Sequence, residues 1–139
     1  MPSWEQWREL AQDSLQAARA LLDQGHTRVA ASRAYFAAYQ MVTGVLLKLE
    51  VTLPTNPPRT NWSHQQTQTL YWRAIAQRRT SKHSQLLGLR LAFAELLQAR
   101  RTADYRPDLE IDRAETERLV VKAGSLIGIL NELIDSQEI

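Results

Sequence analysis

Apolar residues recur every three or four positions along most of this chain, and the recurrence divides it into helical stretches. The most apolar of them is Ala30–Leu49, AASRAYFAAYQMVTGVLLKL. On a helical wheel Ala30, Ala34, Ala38, Met41, Val42, Val45 and Leu49 fall within roughly 120° of one another. Tyr35, Tyr39 and Leu46 widen this arc to about half the circumference. A helix so covered is packed by neighbours on several sides, and its alanines let them approach closely. The pattern predicts a central helix. Arg33, Gln40 and Gly44 line its opposite side.

The other stretches read as partners of that helix. Ser3 and Gln6 have the spacing of a capping box, and Trp4, Trp7, Ala11, Leu15, Ala18 and Leu22 keep helical spacing up to Gly25. A first helix over about residues 3–24 follows. Thr27 is the expected cap of the central helix, which runs to about Glu50. Residues 51–61, VTLPTNPPRTN, are barred from helix by Pro54, Pro57 and Pro58 and predict a surface loop. Ser63 with Gln66 opens a third helix to about Gln77. Its apolar positions (Leu70, Tyr71, Ala74, Ile75) are few, which predicts a place on the surface of the bundle. Thr80 or Ser81 restarts the chain, and Leu86, Leu89, Phe93, Leu96 and Leu97 stripe a fourth helix that fades near Tyr105. Asp112 with Glu115 caps a fifth, carried by Leu119, Ala123, Leu126, Ile127, Leu130 and Ile134 almost to the C-terminus. The expected fold is all-α, an antiparallel bundle of about five helices forming one domain over residues 1–139.

Composition narrows the classes. The chain has no cysteine, so neither a disulfide framework nor a Cys-based metal site is available. It has no signal-type N-terminus and no run of 18 apolar residues, which predicts a soluble cytoplasmic protein without a membrane partner. The net charge of +2 conceals an asymmetry. Residues 59–106 hold nine Lys or Arg but only Glu95 and Asp104 as acids. Fourteen of the seventeen cations are arginine, the side chain suited to forked contacts with phosphate or carboxylate. This basic middle suits RNA, a nucleotide or an acidic protein partner. The same residues would equally serve to pair with acidic helices of the bundle or of a second copy.

Candidate chemistry is sparse. His26, His64 and His83 lie at or near helix starts, and none has a carboxylate or second histidine at metal-binding spacing. Each reads as a solvent-facing or capping residue, and no metal or cofactor is implied. Gly124 and Gly128 fall inside a helix, where close packing explains them. The densest polar cluster is Arg100-Arg101-Thr102-Ala103-Asp104-Tyr105, in which Arg100 and Asp104, four apart, share a helical face and can form an ion pair.

Three short motifs occur in order: Ser32-Arg33-Ala34-Tyr35-Phe36-Ala37, then Ser63-His64, then Arg100-x-x-Ala103-Asp104-Tyr105. Together they resemble the HEPN family of small helical proteins, in the branch whose hallmarks read S-R-x-Y-Y-A, S-H and R-x-x-A-D-Y. The resemblance runs from about Ala17 to Ile134. Phe36 stands where the second tyrosine is usual, and the stretch from Ser63 to Leu86 is longer and more basic than the pattern. The resemblance implies a helical bundle that often dimerises and, in many members, a ribonuclease acting as the toxin beside a nucleotidyltransferase-type antitoxin. It also implies a catalytic arginine followed four to six residues later by histidine. Arg100 matches that arginine, but Tyr105, Arg106 and Pro107 occupy the window and no histidine falls in it.

Three functions are therefore weighed. A non-catalytic module would bind RNA, a nucleotide or a nucleotidyltransferase-type partner through Arg33, Arg100, Arg101, Asp104 and Tyr105. A divergent ribonuclease would use Arg100 with His64, or with a base from a dimer mate. A purely structural bundle would bury the motif residues as a polar network.

Overall fold

Ser3, Ser63 and Asp112 each accept a hydrogen bond from the backbone three residues on, and three of the helices begin at these caps. The computed structural model describes residues 1–139. Its helices are α1 (Trp4–Asp23), α2 (Thr27–Lys48), α3 (His64–Leu70), α4 (His83–Tyr105) and α5 (Arg113–Asp135). The only strand-like feature is an isolated bridge between Thr55 and Pro58. The fold is the all-helical bundle that the patterning predicts. No helix is long and apolar enough to cross a membrane.

The expected Thr27 cap is not formed. His26 precedes α2 without a side-chain cap bond, and Thr27 is already helical. The reason lies in how α1 ends. Gly25, at φ +83, lets the Gly25 and His26 N–H groups turn back onto the carbonyls of Leu22 and Leu21. The chain re-enters a helix at once, with no residue free to act as a side-chain cap.

α1 and α2 form a tight hairpin, and α2 packs also against α4 and α5. Fifteen of its 22 residues are buried, so the side opposite the apolar arc is covered too. Gln40 is buried beneath α1 and meets the Ser14 hydroxyl at 2.7 Å. With its NH2 turned toward Ser14, the same amide also donates to the Leu10 and Phe36 carbonyls at 3.2 Å. Gly44 sits under the first turn of α1. A methyl group there would lie 3.0 Å from the Trp4 carbonyl oxygen and 3.2 Å from Trp7 Cβ. Gly44→Ala is therefore expected to lose about 1–3 kcal/mol by overpacking, outweighing the ~1 kcal/mol that alanine gains in helix propensity. Urea denaturation of the variant checks the sign.

The third helical segment is more deeply set than its sparse apolar residues predict. After Leu70 the backbone widens into a π-helical turn, Tyr71–Ala76. The i→i+5 spacing brings Tyr71, Ile75 and Ala76 to one side, where all three are fully buried. The Tyr71 hydroxyl donates to the Leu86 carbonyl at 2.6 Å. Only the outer side of this segment, with Arg73 and Gln77, reaches solvent. In the middle of one continuous core Phe93 stacks on Tyr35 and meets Tyr71 edge-on.

The proline-containing loop is pinned at its far end. Trp62 is buried, its indole donates to the Thr52 carbonyl at 3.3 Å, and its carbonyl accepts from the Tyr39 hydroxyl. This fixes the approach of the chain to Ser63. The Ser63 cap, reciprocated by the Gln66 side chain, then sets His64 as the first residue of α3, over the middle of α2.

Candidate functional site

Ser32, Arg33 and Phe36 share one side of α2, and α4 presents its last turns to them. The Ser32 hydroxyl donates to Asp104 Oδ2 at 3.1 Å, joining the two helices. Asp104 in turn lies 2.9 Å from Arg100 Nε. That N–H is not aimed along the contact, so Nε lacks a formal hydrogen bond and the pair is held by charge. Arg100 Nη2 donates to the Tyr105 hydroxyl at 3.3 Å. The Arg100 side chain is 15% exposed, whereas Asp104 is 32% and Tyr105 65% exposed.

Phe36 is the hub of this arrangement. The Arg33 guanidinium carbon lies 4.8 Å from its ring centre and that of Arg100 5.2 Å. Losing the hydroxyl of the usual tyrosine leaves a plain aromatic face on which two cations rest. Arg33 does not contact Asp104; the ring and the Ser32 hydroxyl connect them instead.

His64 joins the same group. Its ring centre is 5.3 Å from that of Tyr35, 5.9 Å from Phe36 and 4.9 Å from Tyr39. Nδ1 is 2.7 Å from the Tyr35 hydroxyl. Burial, followed by the charges of Arg100 and Arg101, lowers the proton affinity of this imidazole. The folded protein thus favours the neutral form of His64. Burial and the neighbouring Tyr39 push the Tyr35 phenol well above its usual range, so it stays protonated. If Nδ1 accepts from Tyr35, Nε2 carries the proton; if Nδ1 donates, Nε2 is a free base. His64 is a caged residue rather than the solvent-facing one its position at a helix start suggests. His83 instead contacts the Arg78 carbonyl at 2.8 Å.

The same environment gives a pH dependence. Because the folded state disfavours charging His64, the unfolded chain takes up its proton more readily. Stability is expected to be level above about pH 6.5 and to fall as pH drops below it. Urea midpoints at several pH values measure the fall, and His64→Gln should make it shallower.

Of the nine cations between residues 59 and 106, Lys82, Arg100 and Arg106 pair with carboxylates. Arg59, Arg73, Arg78, Arg79, Arg90 and Arg101 are exposed and make no ion pair within the chain. Neutralising the bundle's own acids is therefore not their role in the single chain. No three His, Asp or Glu side chains converge as a metal site would require.

One residue that the sequence reading passed over organises the region. Arg28, at the start of α2, donates to the carbonyls of Thr102 at 3.1 Å, Ala103 at 2.8 Å and Arg106 at 3.2 Å, and also to that of Leu109. It ends α4 where the helix has no side-chain cap of its own, and so fixes the Arg100–Tyr105 turn.

These contacts bring all three sequence motifs into one cluster. The HEPN domain family model matches residues 4–133, nearly the whole chain. The chain belongs to the HEPN domain family. A search of curated proteins gives no match. In this HEPN domain the arginine of the third motif and a histidine from α3 both approach the Phe36 ring, and no histidine follows that arginine on α4.

Proposed function

We propose that this HEPN domain binds RNA through its phosphates. Arg33, Arg100 and Arg101 are the cationic contacts, and exposed Tyr105 offers a stacking face. The observation that carries the reading is the convergence of the Arg33 and Arg100 guanidiniums on the Phe36 ring. Two cations held together would repel each other without an anion between or beside them, and Asp104 offsets only one. The surrounding unpaired arginines extend the positive field.

The reading extends to assembly. Val29 is exposed on the α2 side that carries Arg33, and Tyr105, next to Arg100, is exposed as well. A second copy docked along this side would align two sets of arginines in one cleft. Light scattering is expected to give twice the 15.9 kDa chain mass. A nucleotidyltransferase-type antitoxin is the protein partner the family suggests, and it would compete with RNA for these arginines.

A second reading, a divergent ribonuclease, is favoured by one observation: His64 and Arg100 both pack at the Phe36 ring. Nε2 of His64 would take the 2′-hydroxyl proton while Arg100 stabilises the charge on phosphorus. The leaving 5′-oxygen then needs an acid, and His26 and His83 lie elsewhere. This gap ranks binding above cleavage. Incubating the protein with single-stranded and structured RNAs tests the ranking. Binding without scission is expected. Cyclic-phosphate ends that appear with wild type and vanish in both Arg100→Ala and His64→Ala would promote the ribonuclease.

A further inference from the structure

Beside the Phe36 cluster, a groove of about 320 Å³ runs between α3 and α4. Arg90, Ala94, Leu97 and Arg101 form its α4 wall, a single stripe at helical spacing about 16 Å long. Gln65, Gln68 and Thr69 form the α3 wall. No acid lines it. A groove of similar size at the other side of α4 is rimmed by Glu95, Glu110, Asp112 and Glu115 and would repel a polyanion.

Arg101 lies at the His64 end of the stripe, and its charge is felt by that imidazole. Arg90, at the far end, is set by packing: its guanidinium carbon rests 4.0 Å from the ring centre of Trp72. Trp72 belongs to the π-helical turn, whose buried side is occupied by Tyr71, Ile75 and Ala76. A guanidinium lying on an indole keeps its N–H edge available, and no carboxylate takes it up. Gln68 donates its amide to the Phe93 carbonyl at 3.2 Å, which holds its oxygen in place as an acceptor. The groove thus offers a cation at each end and neutral hydrogen-bonding groups between.

We propose that single-stranded RNA bound at the Arg33–Arg100 cluster continues along the α3–α4 groove, with Arg90 on Trp72 as a separate phosphate subsite. The proposal rests on the RNA-binding reading of the cluster. A cleft between two adjacent helices admits one phosphodiester chain and excludes a duplex. The two ends of the groove meet phosphates several nucleotides apart.

Oligouridines of about four and about twelve nucleotides, within the range of site sizes for single-strand binders, distinguish the cluster from the groove. Wild type is expected to bind the longer one at least ~10-fold more tightly, and Arg90→Ala should reduce that advantage to about threefold while lowering the salt slope by about one. Affinity for the shorter oligomer should not change. A length advantage that stays undiminished in Arg90→Ala overturns the groove proposal and leaves the cluster reading standing. So does equal weakening of both lengths, or duplex RNA binding as tightly as the single strand. If wild type binds neither length, the cluster reading itself fails. Arg90 is exposed, and circular dichroism of the variant confirms that it folds.

Discussion

Arg28→Ala is expected to lower stability by about 3 kcal/mol, more than any other change of a partly exposed residue in this protein. The half-buried guanidinium serves carbonyls of Thr102, Ala103, Arg106 and Leu109 at once. Its removal leaves the last turn of α4 with orphaned acceptors and without the positive charge that favours a helix C-terminus. Arg28→Lys should recover only part of the loss, because an ammonium cannot fork across several carbonyls. Denaturant midpoints of the three proteins measure this. A loss below about 1 kcal/mol would mean that water replaces the guanidinium without cost. Because Arg28 holds the turn carrying Arg100 and Asp104, the same variant should also bind RNA more weakly.

The second large effect concerns affinity. Replacing Arg33 and Arg100 together by alanine is expected to weaken RNA binding on the order of 100-fold, about 2.8 kcal/mol. The log–log salt slope should fall by about two, one for each lost phosphate contact. Arg100→Ala should be the more harmful single change. It removes a cation and also leaves the Asp104 carboxylate uncompensated next to the phosphate path. Arg33 has no carboxylate partner, so its loss removes attraction alone. Fluorescence anisotropy across a salt series gives both affinity and slope. Equal binding by wild type and the double variant would place the RNA elsewhere on the molecule.

What was legible in the sequence was local. The caps at Ser3, Ser63 and Asp112 and the Arg100–Asp104 pair each lie within one helical turn, where residue spacing and geometry are the same thing. How α2 and α5 close was harder to read. Both helices end close to where the spacing puts them, but Glu50 and Gln137, at φ 60, close them as glycine would, and that device has no sequence signature. The polar side of α2 was ambiguous for another reason. Gln40 is buried because Ser14, 26 residues away, supplies its partner, and Gly44 because the start of α1 fills the space above it. The π-helical turn left no trace in the apolar spacing, since Tyr71 and Ile75 suit either geometry. In the site, each motif was visible but not their meeting. His64 reaches Tyr35 only because the loop after α2 is pinned by Trp62, a contact between distant residues. Arg28 bonds to carbonyls 74 to 81 residues along the chain, and backbone acceptors carry no side-chain signature.

The most direct test of the RNA-binding site follows the ring-proton resonances of the three histidines by NMR during titration with single-stranded RNA. His64 lies among Phe36, Arg100 and Arg101, whereas His26 and His83 stand at other helix starts. RNA is expected to shift His64 selectively at low salt, with reversal as salt is raised. The site assignment would be contradicted if RNA bound while His64 stayed unmoved and His26 or His83 shifted instead.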